Sequence, residues 1–205
     1  MTEKEPDSVA GDWSTEDAAE HYRVASWSDG FFHENDSGHM AVRPLEDKSL
    51  SIDIMDVVAD LRQRGVKFPA LLRFQDVLRA RVQRLNHAFA DAIKEAGYQS
   101  EYRSVYPIKV NQMHEVVEEV LDAGKPFGLG LECGSKTELI ATLAHLVDDS
   151  TLLICNGVKD RSMLSLVLSS QLLGKNVIPV MEKYAEFEEL ISLADAADTA
   201  TQFGI

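Results

Sequence analysis

Lys109 stands alone as a cation inside the apolar, strand-like run SVYPIKVNQ (residues 104–112). A buried ammonium is costly unless it is paired or neutralised. A lysine held in such a place loses its proton more easily than one in water, and the free amine can form an imine with a carbonyl group. Two polar residues recur at almost the same interval: Glu132 lies 23 residues on and Asn156 another 24. A carboxylate beside Lys109 would orient it and keep its charge manageable. Glu138 falls three residues after Ser135 in SKTELIATLAHL, a capping-box pattern that opens a helix. Each residue has a plain structural alternative. Lys109 and Glu132 could reach water at strand ends, Glu138 could be a cap, and Asn156-Gly157 with Lys159 and Asp160 could be a turn and helix start.

Other chemistries find little support. The histidines 21, 33, 39, 87, 114 and 145 are scattered and form no H-x-x-x-H pair, so no metal ligand set is identified. No Ser-His-Asp set can be argued. Gly128 and Gly130 begin a G-x-G, but Gly134 comes one residue late for a dinucleotide loop and the glycines sit inside a strand. Cys133 and Cys155 lie in apolar runs and read as packing residues.

The elements that must position these residues follow a rhythm from Arg103 onward. RSVYPIKV, FGLGLEC, TLLICN and NVIPVME read as strands; HEVVEEVLDAG, SKTELIATLAHL, DRSMLSLVLSSQLLG and YAEFEELISLADAA read as the helices between and after them; TQFGI begins a further strand. Alternation of this kind predicts a parallel sheet with right-handed crossovers. Continuously apolar strands fit a sheet covered on both faces. An eight-fold barrel and an open doubly wound sheet both satisfy the pattern, and four units with a stub make about half of a barrel. Parity on the first strand puts Val105, Pro107, Lys109 and Asn111 on one face and Tyr106, Ile108 and Val110 on the other. Lys109 would then point inward near the carboxyl end of its strand, where α/β folds build their sites.

Ahead of this region, residues 1–18 are acidic and small and read as a disordered tail. Residues 19–74 hold a β-hairpin in WSDGFFHENDSGHMAVRP, turning at Asn35-Asp36-Ser37-Gly38, and a helix over SIDIMDVVADLRQRG. A long helix runs from about Gln75 to Ala96, with Val77, Leu78, Arg81, Leu85, Phe89 and Ile93 as its stripe, and residues 75–205 form the partial barrel.

The 205 residues carry 34 acidic against 20 basic side chains, a net charge of -14. That balance argues against nucleic acid or an acidic membrane surface as partner. The start has no apolar segment of a secretory signal, and no stretch reaches membrane-spanning length. Two cysteines suit a reducing compartment, so a cytoplasmic address is expected.

SVYPIKVNQ, FGLGLECGSKTEL and ICNGVKD together resemble the biosynthetic arginine decarboxylases, of the alanine racemase-like, or fold III, group of pyridoxal-phosphate enzymes. The aromatic hairpin and FPALLRFQDVLRARVQRLNHAF are similar to the same proteins, so the likeness runs from about Ala18 to Ile205. Ornithine and diaminopimelate decarboxylases share only a looser lysine-strand and SKTE pattern. The resemblance implies an α/β fold, the first half of a pyridoxal-phosphate-binding (β/α)8 barrel preceded by the hairpin and helices. It implies conversion of L-arginine to agmatine and carbon dioxide in polyamine biosynthesis. Lys109 matches the lysine that carries pyridoxal phosphate as a Schiff base; Glu132 and Glu138 match acidic positions near it, with Asn156 a further neighbour. Cys133 departs from the small alanine more usual there. Mg2+ as a second cofactor and a homo-oligomeric full-length enzyme are also implied. Members of the family are much longer, so the phosphate-binding loop, later barrel strands and a partner subunit's catalytic group are expected outside this sequence. The chain reads as truncated, and the isolated 205 residues, with two open sheet edges, are expected to aggregate and show little activity. The alternatives are a related decarboxylase of another basic amino acid and a non-catalytic remnant or regulatory binding protein.

Overall fold

Ser14 and Asp17 close a capping box: Ser14 Oγ accepts from the Asp17 N–H (3.1 Å) and Asp17 Oδ2 accepts from the Ser14 N–H (3.0 Å). Helix α1 (Thr15–Tyr22) starts there. The computed structural model describes residues 13–44 and 49–205. The expected tail therefore lies outside the described residues over 1–12, and its last residues, 15–18, are helical because of this cap. Two compact units divide at Ala80/Arg81, inside a long helix.

In the first unit α2 (Val24–Ser28) is followed by strands β1 (Phe32–Glu34) and β2 (Met40–Val42), paired antiparallel with Phe32 opposite Val42. Asn35 Oδ1 accepts from the N–H groups of Ser37 and His39 (both 3.0 Å) and makes the turn. Trp27 belongs to α2 rather than to the hairpin. The expected helix over residues 51–65 starts late: Ile52–Asp53 pair with β2 as strand β3, and helix α3 spans Ile54–Gln63. Asp53 makes the change of direction. Its carboxylate caps the Met55 N–H (2.7 Å) and accepts from Asn35 Nδ2 (2.8 Å), with His39 Nδ1 at 2.9 Å.

The second unit opens with the remainder of α4 (Gln75–Ala96). Its buried residue is Asn86, bonded to the Val82 carbonyl (2.8 Å) and to Ser104 Oγ (3.0 Å). The apolar stripe expected on this helix is covered only in part: Val77, Leu78 and Ile93 are half-buried, while Leu85 and Phe89 are 51% and 42% exposed. Ser104 draws the polar Asn86 inward, and Phe89 stacks on Tyr102 (3.8 Å between centroids).

Four parallel βα units follow: β4 (Val105–Pro107), α5 (His114–Gly124), β5 (Gly130–Cys133), α6 (Lys136–His145), β6 (Leu153–Cys155), α7 (Arg161–Leu172), β7 (Val177–Pro179) and α8 (Tyr184–Ala196). Their order in the sheet is sequential, β4-β5-β6-β7. A doubly wound sheet reverses its order and carries helices on both faces. Here Leu131, Cys133, Leu153, Cys155 and Val177 pack with Val117, Leu139, Met163 and Val167 of α5, α6 and α7 in one core. The alternate strand positions, Pro107, Glu132, Ile154 and Ile178, are register partners on the other face. Helices on one face and sequential strands make this part of a (β/α)8 barrel. The strand expected to begin at TQFGI is represented by one parallel bridge, Val180 to Gly204. Gly130 serves strand packing: a Cβ there would lie 2.1 Å from the Leu152 carbonyl oxygen.

Candidate active site

Strand β4 pairs with β5 only as far as Pro107 opposite Glu132. Proline has no N–H to extend a ladder. The chain turns instead into one 3-10 turn, Ile108–Val110. Ile108 is driven into the core, 1% exposed, while Lys109 and Val110 are exposed. The parity expected from a continuous strand holds for Tyr106 and Ile108, which pack with the core, and fails for Val110, expected on their face but 64% exposed; Lys109, expected on the opposite face, is exposed. Lys109 stands just past the carboxyl end of β4, exposed. Its ammonium makes no hydrogen bond or ion pair among the described residues, so none joins it to Glu132. Two bonds fix the turn that carries it. Tyr106 Oη donates to the Asn111 carbonyl (3.1 Å), spanning the turn, and Asn111 Oδ1 accepts from the Met113 N–H (3.1 Å) at the start of α5. Burial pushes the Tyr106 phenol above its ordinary pKa, so it stays a donor.

Glu132 and Asn156 do come together. Glu132 is buried on the face away from the helices, and Asn156 Nδ2, one strand over, donates to its Oε1 (3.1 Å). Glu138 goes elsewhere: its Oε2 accepts from the Gly134 N–H (2.7 Å), while its own N–H donates to Ser135 Oγ (3.3 Å). Only the Ser135 half of the expected capping box forms; the Glu138 carboxylate takes the N–H of Gly134 in place of that of Ser135 and fixes the β5–α6 loop next to Glu132. Cys133 and Cys155 are opposite one another with sulfurs 3.4 Å apart, both free thiols and fully buried. The hydrogen bond with Cys133 and then burial push the Cys155 thiol far up, which leaves it a packing group.

Sequence reasoning missed Lys159. Read in ICNGVKD as part of a turn, its side chain is fully buried, with Nζ 3.7 Å from Glu186 Oε2. Burial disfavours the Glu186 carboxylate, but the N–H groups of Lys159 and Glu182 and the Lys159 charge outweigh it and hold its pKa below the usual range. The spacing of 27 residues between the partners crosses a whole βα unit, so no local pattern could have announced the pair.

A cavity of about 560 Å3 lies at the other end of the sheet, beside Arg103, Leu129 and Thr151, which precede β4, β5 and β6. Of its lining groups His114 pairs with Glu118 (3.0 Å), and Arg103 pairs with Glu101 (2.6 Å) outside the lining. At the carboxyl ends stand the Lys109 side chain, unbonded on a fixed turn, and on the neighbouring strand a carboxylate held by an amide. That donor set fits an aldehyde cofactor tethered by lysine, with acid and amide groups beside it.

Residues 78–202 match the family described as pyridoxal-dependent decarboxylase, pyridoxal binding domain. A biosynthetic arginine decarboxylase of Gloeobacter violaceus is 42% identical over 194 residues, covering 95% of this chain and 30% of that protein. That of Bacteroides thetaiotaomicron is 41% identical over 193 residues, 94% of this chain and 30% of the relative. The crystal structure of the biosynthetic arginine decarboxylase SpeA from Campylobacter jejuni superposes with a TM-score of 0.79 at 30% identity, over 88% of this chain and 29% of that one. The chain thus spans about 30% of the length of the curated relatives it matches. With most of its length matched, and with the parallel βα units and the lysine turn described above, the chain belongs to the pyridoxal-dependent decarboxylases, of whose pyridoxal-binding domain residues 78–202 are a part.

Proposed function

We propose that this chain is the tether-bearing portion of an arginine decarboxylase that converts L-arginine to agmatine and carbon dioxide, with Lys109 as the lysine that holds pyridoxal phosphate. The observation that carries the reading is the exposed Lys109 amine, without a partner among the described residues, at the carboxyl end of the first parallel strand. Choice of arginine as substrate is supported by the names of relatives about 40% identical across nearly the whole chain. Bound at Lys109, pyridoxal phosphate would supply the ring system that takes up the electron pair left by the departing carboxylate.

The chain's own residues have distinct parts. Lys109 Nζ is the nucleophilic amine of the tether and a carrier for a proton at the reacting carbon. Tyr106 and Asn111 hold the turn that aims it. Glu132 offers a fixed negative charge toward the same end of the sheet, with Oε1 oriented by Asn156. Glu138 positions the β5–α6 loop through Gly134 and is not itself free to bond a ligand through Oε2. Mg2+ fits less well: among the described residues no three His, Cys, Asp or Glu side chains converge to hold a metal, and no step is assigned to it. The proposal includes self-association of the protein as its gene encodes it. It also includes a reducing, cytoplasmic setting, supported by the two free thiols lying side by side. Among the described residues no helix is long and apolar enough to cross a membrane.

The test is incubation of the protein, as its gene encodes it, with pyridoxal phosphate, followed by borohydride and peptide mass analysis, alongside an assay for amine release. A pyridoxyl mass on Lys109 and agmatine from L-arginine are expected. A label on Lys109 with a different amine released from another basic amino acid would move the reading to a related decarboxylase. Labelling scattered over surface lysines with Lys109 untouched would refute it.

A further inference from the structure

Three loops at the carboxyl ends of β5, β6 and β7 meet around Lys159. Gly157 has φ +74°, and a Cβ there would lie 2.3 Å from the Gly134 carbonyl oxygen, so the loops after β5 and β6 touch backbone to backbone. The Gly157 N–H donates to Glu182 Oε1 (2.6 Å) in the loop after β7. Lys159 Nζ donates to the Gly157 carbonyl (2.5 Å) and to the Val180 carbonyl, tying β6's loop to the end of β7. Glu186 completes the knot: Oε1 accepts from the Lys159 N–H (2.9 Å) and Oε2 from the Glu182 N–H (3.0 Å). Lys159 and Glu186 are 4% exposed each.

A buried ion pair of this kind is weak evidence for stability, since apolar replacements often serve as well. What this one specifies is position. The residue next to Gly157 is Asn156, whose Nδ2 holds Glu132 Oε1. We propose that Lys159 is a positioning residue of the active site: by fixing the Gly157 carbonyl it fixes the Asn156 side chain, and through it the Glu132 carboxylate. Lys159 touches neither substrate nor cofactor in this scheme. The inference rests on the reading of Lys109 and Glu132 as the cofactor site.

The experiment uses the protein as its gene encodes it, with Lys159→Met, Asn156→Ala and the double variant. Crystal structures should show the Asn156 to Glu132 contact stretched beyond about 3.5 Å in Lys159→Met. The same variant should lose roughly tenfold in kcat while KM for L-arginine stays within about twofold, the pattern of an interaction that matters only at the transition state. Asn156→Ala should lose a similar factor, and the double variant no more than either single one, because both act on one contact. Losses that multiply, or an intact contact in Lys159→Met, would overturn the proposal. Should Lys159→Met fail to fold, Lys159→Gln, whose shorter side chain weakens the hold on the Gly157 carbonyl, must show the same split in milder form. If the parent protein takes up no pyridoxal phosphate, the functional reading fails, and the crystallographic contact alone decides for or against positioning.

Discussion

Two lysines stand past the carboxyl ends of β4 and β6, with β5 between those strands, and their surroundings could hardly differ more. Lys109 is exposed on a one-turn 3-10 segment and engages nothing among the described residues. Lys159 is wholly buried and satisfied by two carbonyls and a carboxylate. Two carbonyls and a carboxylate hold Lys159 Nζ in place, whereas no described residue bonds Lys109 Nζ. In the reading proposed above, the amine that reacts is the one the fold leaves alone, and the amine the fold surrounds is a fastener. Residue type and strand-end location are shared, so neither decides the role.

The comparison breaks most visibly at Lys109. Lys109→Ala should abolish borohydride labelling by pyridoxal phosphate and lower decarboxylation by roughly a thousandfold or more. It should leave the thermal midpoint almost unmoved, because surface substitutions without partners change stability by only about 0.5 kcal/mol. A large fall in midpoint would mean that Lys109 is a structural residue, and the contrast with Lys159 would vanish.

Lys159→Ala should show the reverse emphasis. Removing one member of a buried pair leaves the other uncompensated, at a cost of about 3–5 kcal/mol. The urea midpoint reads this directly. A pH series sharpens it. The Glu186 carboxyl lies below its ordinary range in the folded chain, against burial, because of its bonds and the Lys159 charge. Its contribution to stability is complete above the ordinary carboxylate range and is lost as pH falls through the lowered folded value. Between about pH 6 and pH 3 the parent's urea midpoint should therefore drop more steeply than that of Glu186→Gln. Parallel curves would show that the pair does not couple to folding.

What the residues announced and what they hid follows from the range of the interactions. The four βα units were legible because apolar runs, glycine stops and the caps at Ser135 and Asp160 are local. The hairpin turn at Asn35 was legible for the same reason. The end of β4 at Pro107 was not, since parity assumes that a strand continues, and here pairing stops at the proline while Ile108 finds the core. The choice between barrel and doubly wound sheet needed the strand order. Of the candidate site, Glu138 as cap was written in the sequence, and so was the interval linking Glu132 to Asn156. Lys159 was hidden because Val180 and Glu186 lie a βα unit away. Asn86 was hidden because Ser104, 18 residues on, decides which face of α4 is covered.

The smallest expected effect probes how firmly the exposed lysine is aimed. Tyr106→Phe removes the hydroxyl that donates to the Asn111 carbonyl and spans the turn. A single neutral hydrogen bond contributes about 1 kcal/mol, so the urea midpoint should fall only slightly. The turn would keep its anchor at Ile108 but lose its outer brace, and Lys109 would sample more directions. The rate of pyridoxyl labelling at Lys109 should then fall by roughly threefold, with the final extent unchanged, since orientation rather than the amine itself has been altered. An unchanged rate would show that Ile108 alone aims the lysine, and the brace across Ile108–Val110 would be a bystander to the chemistry.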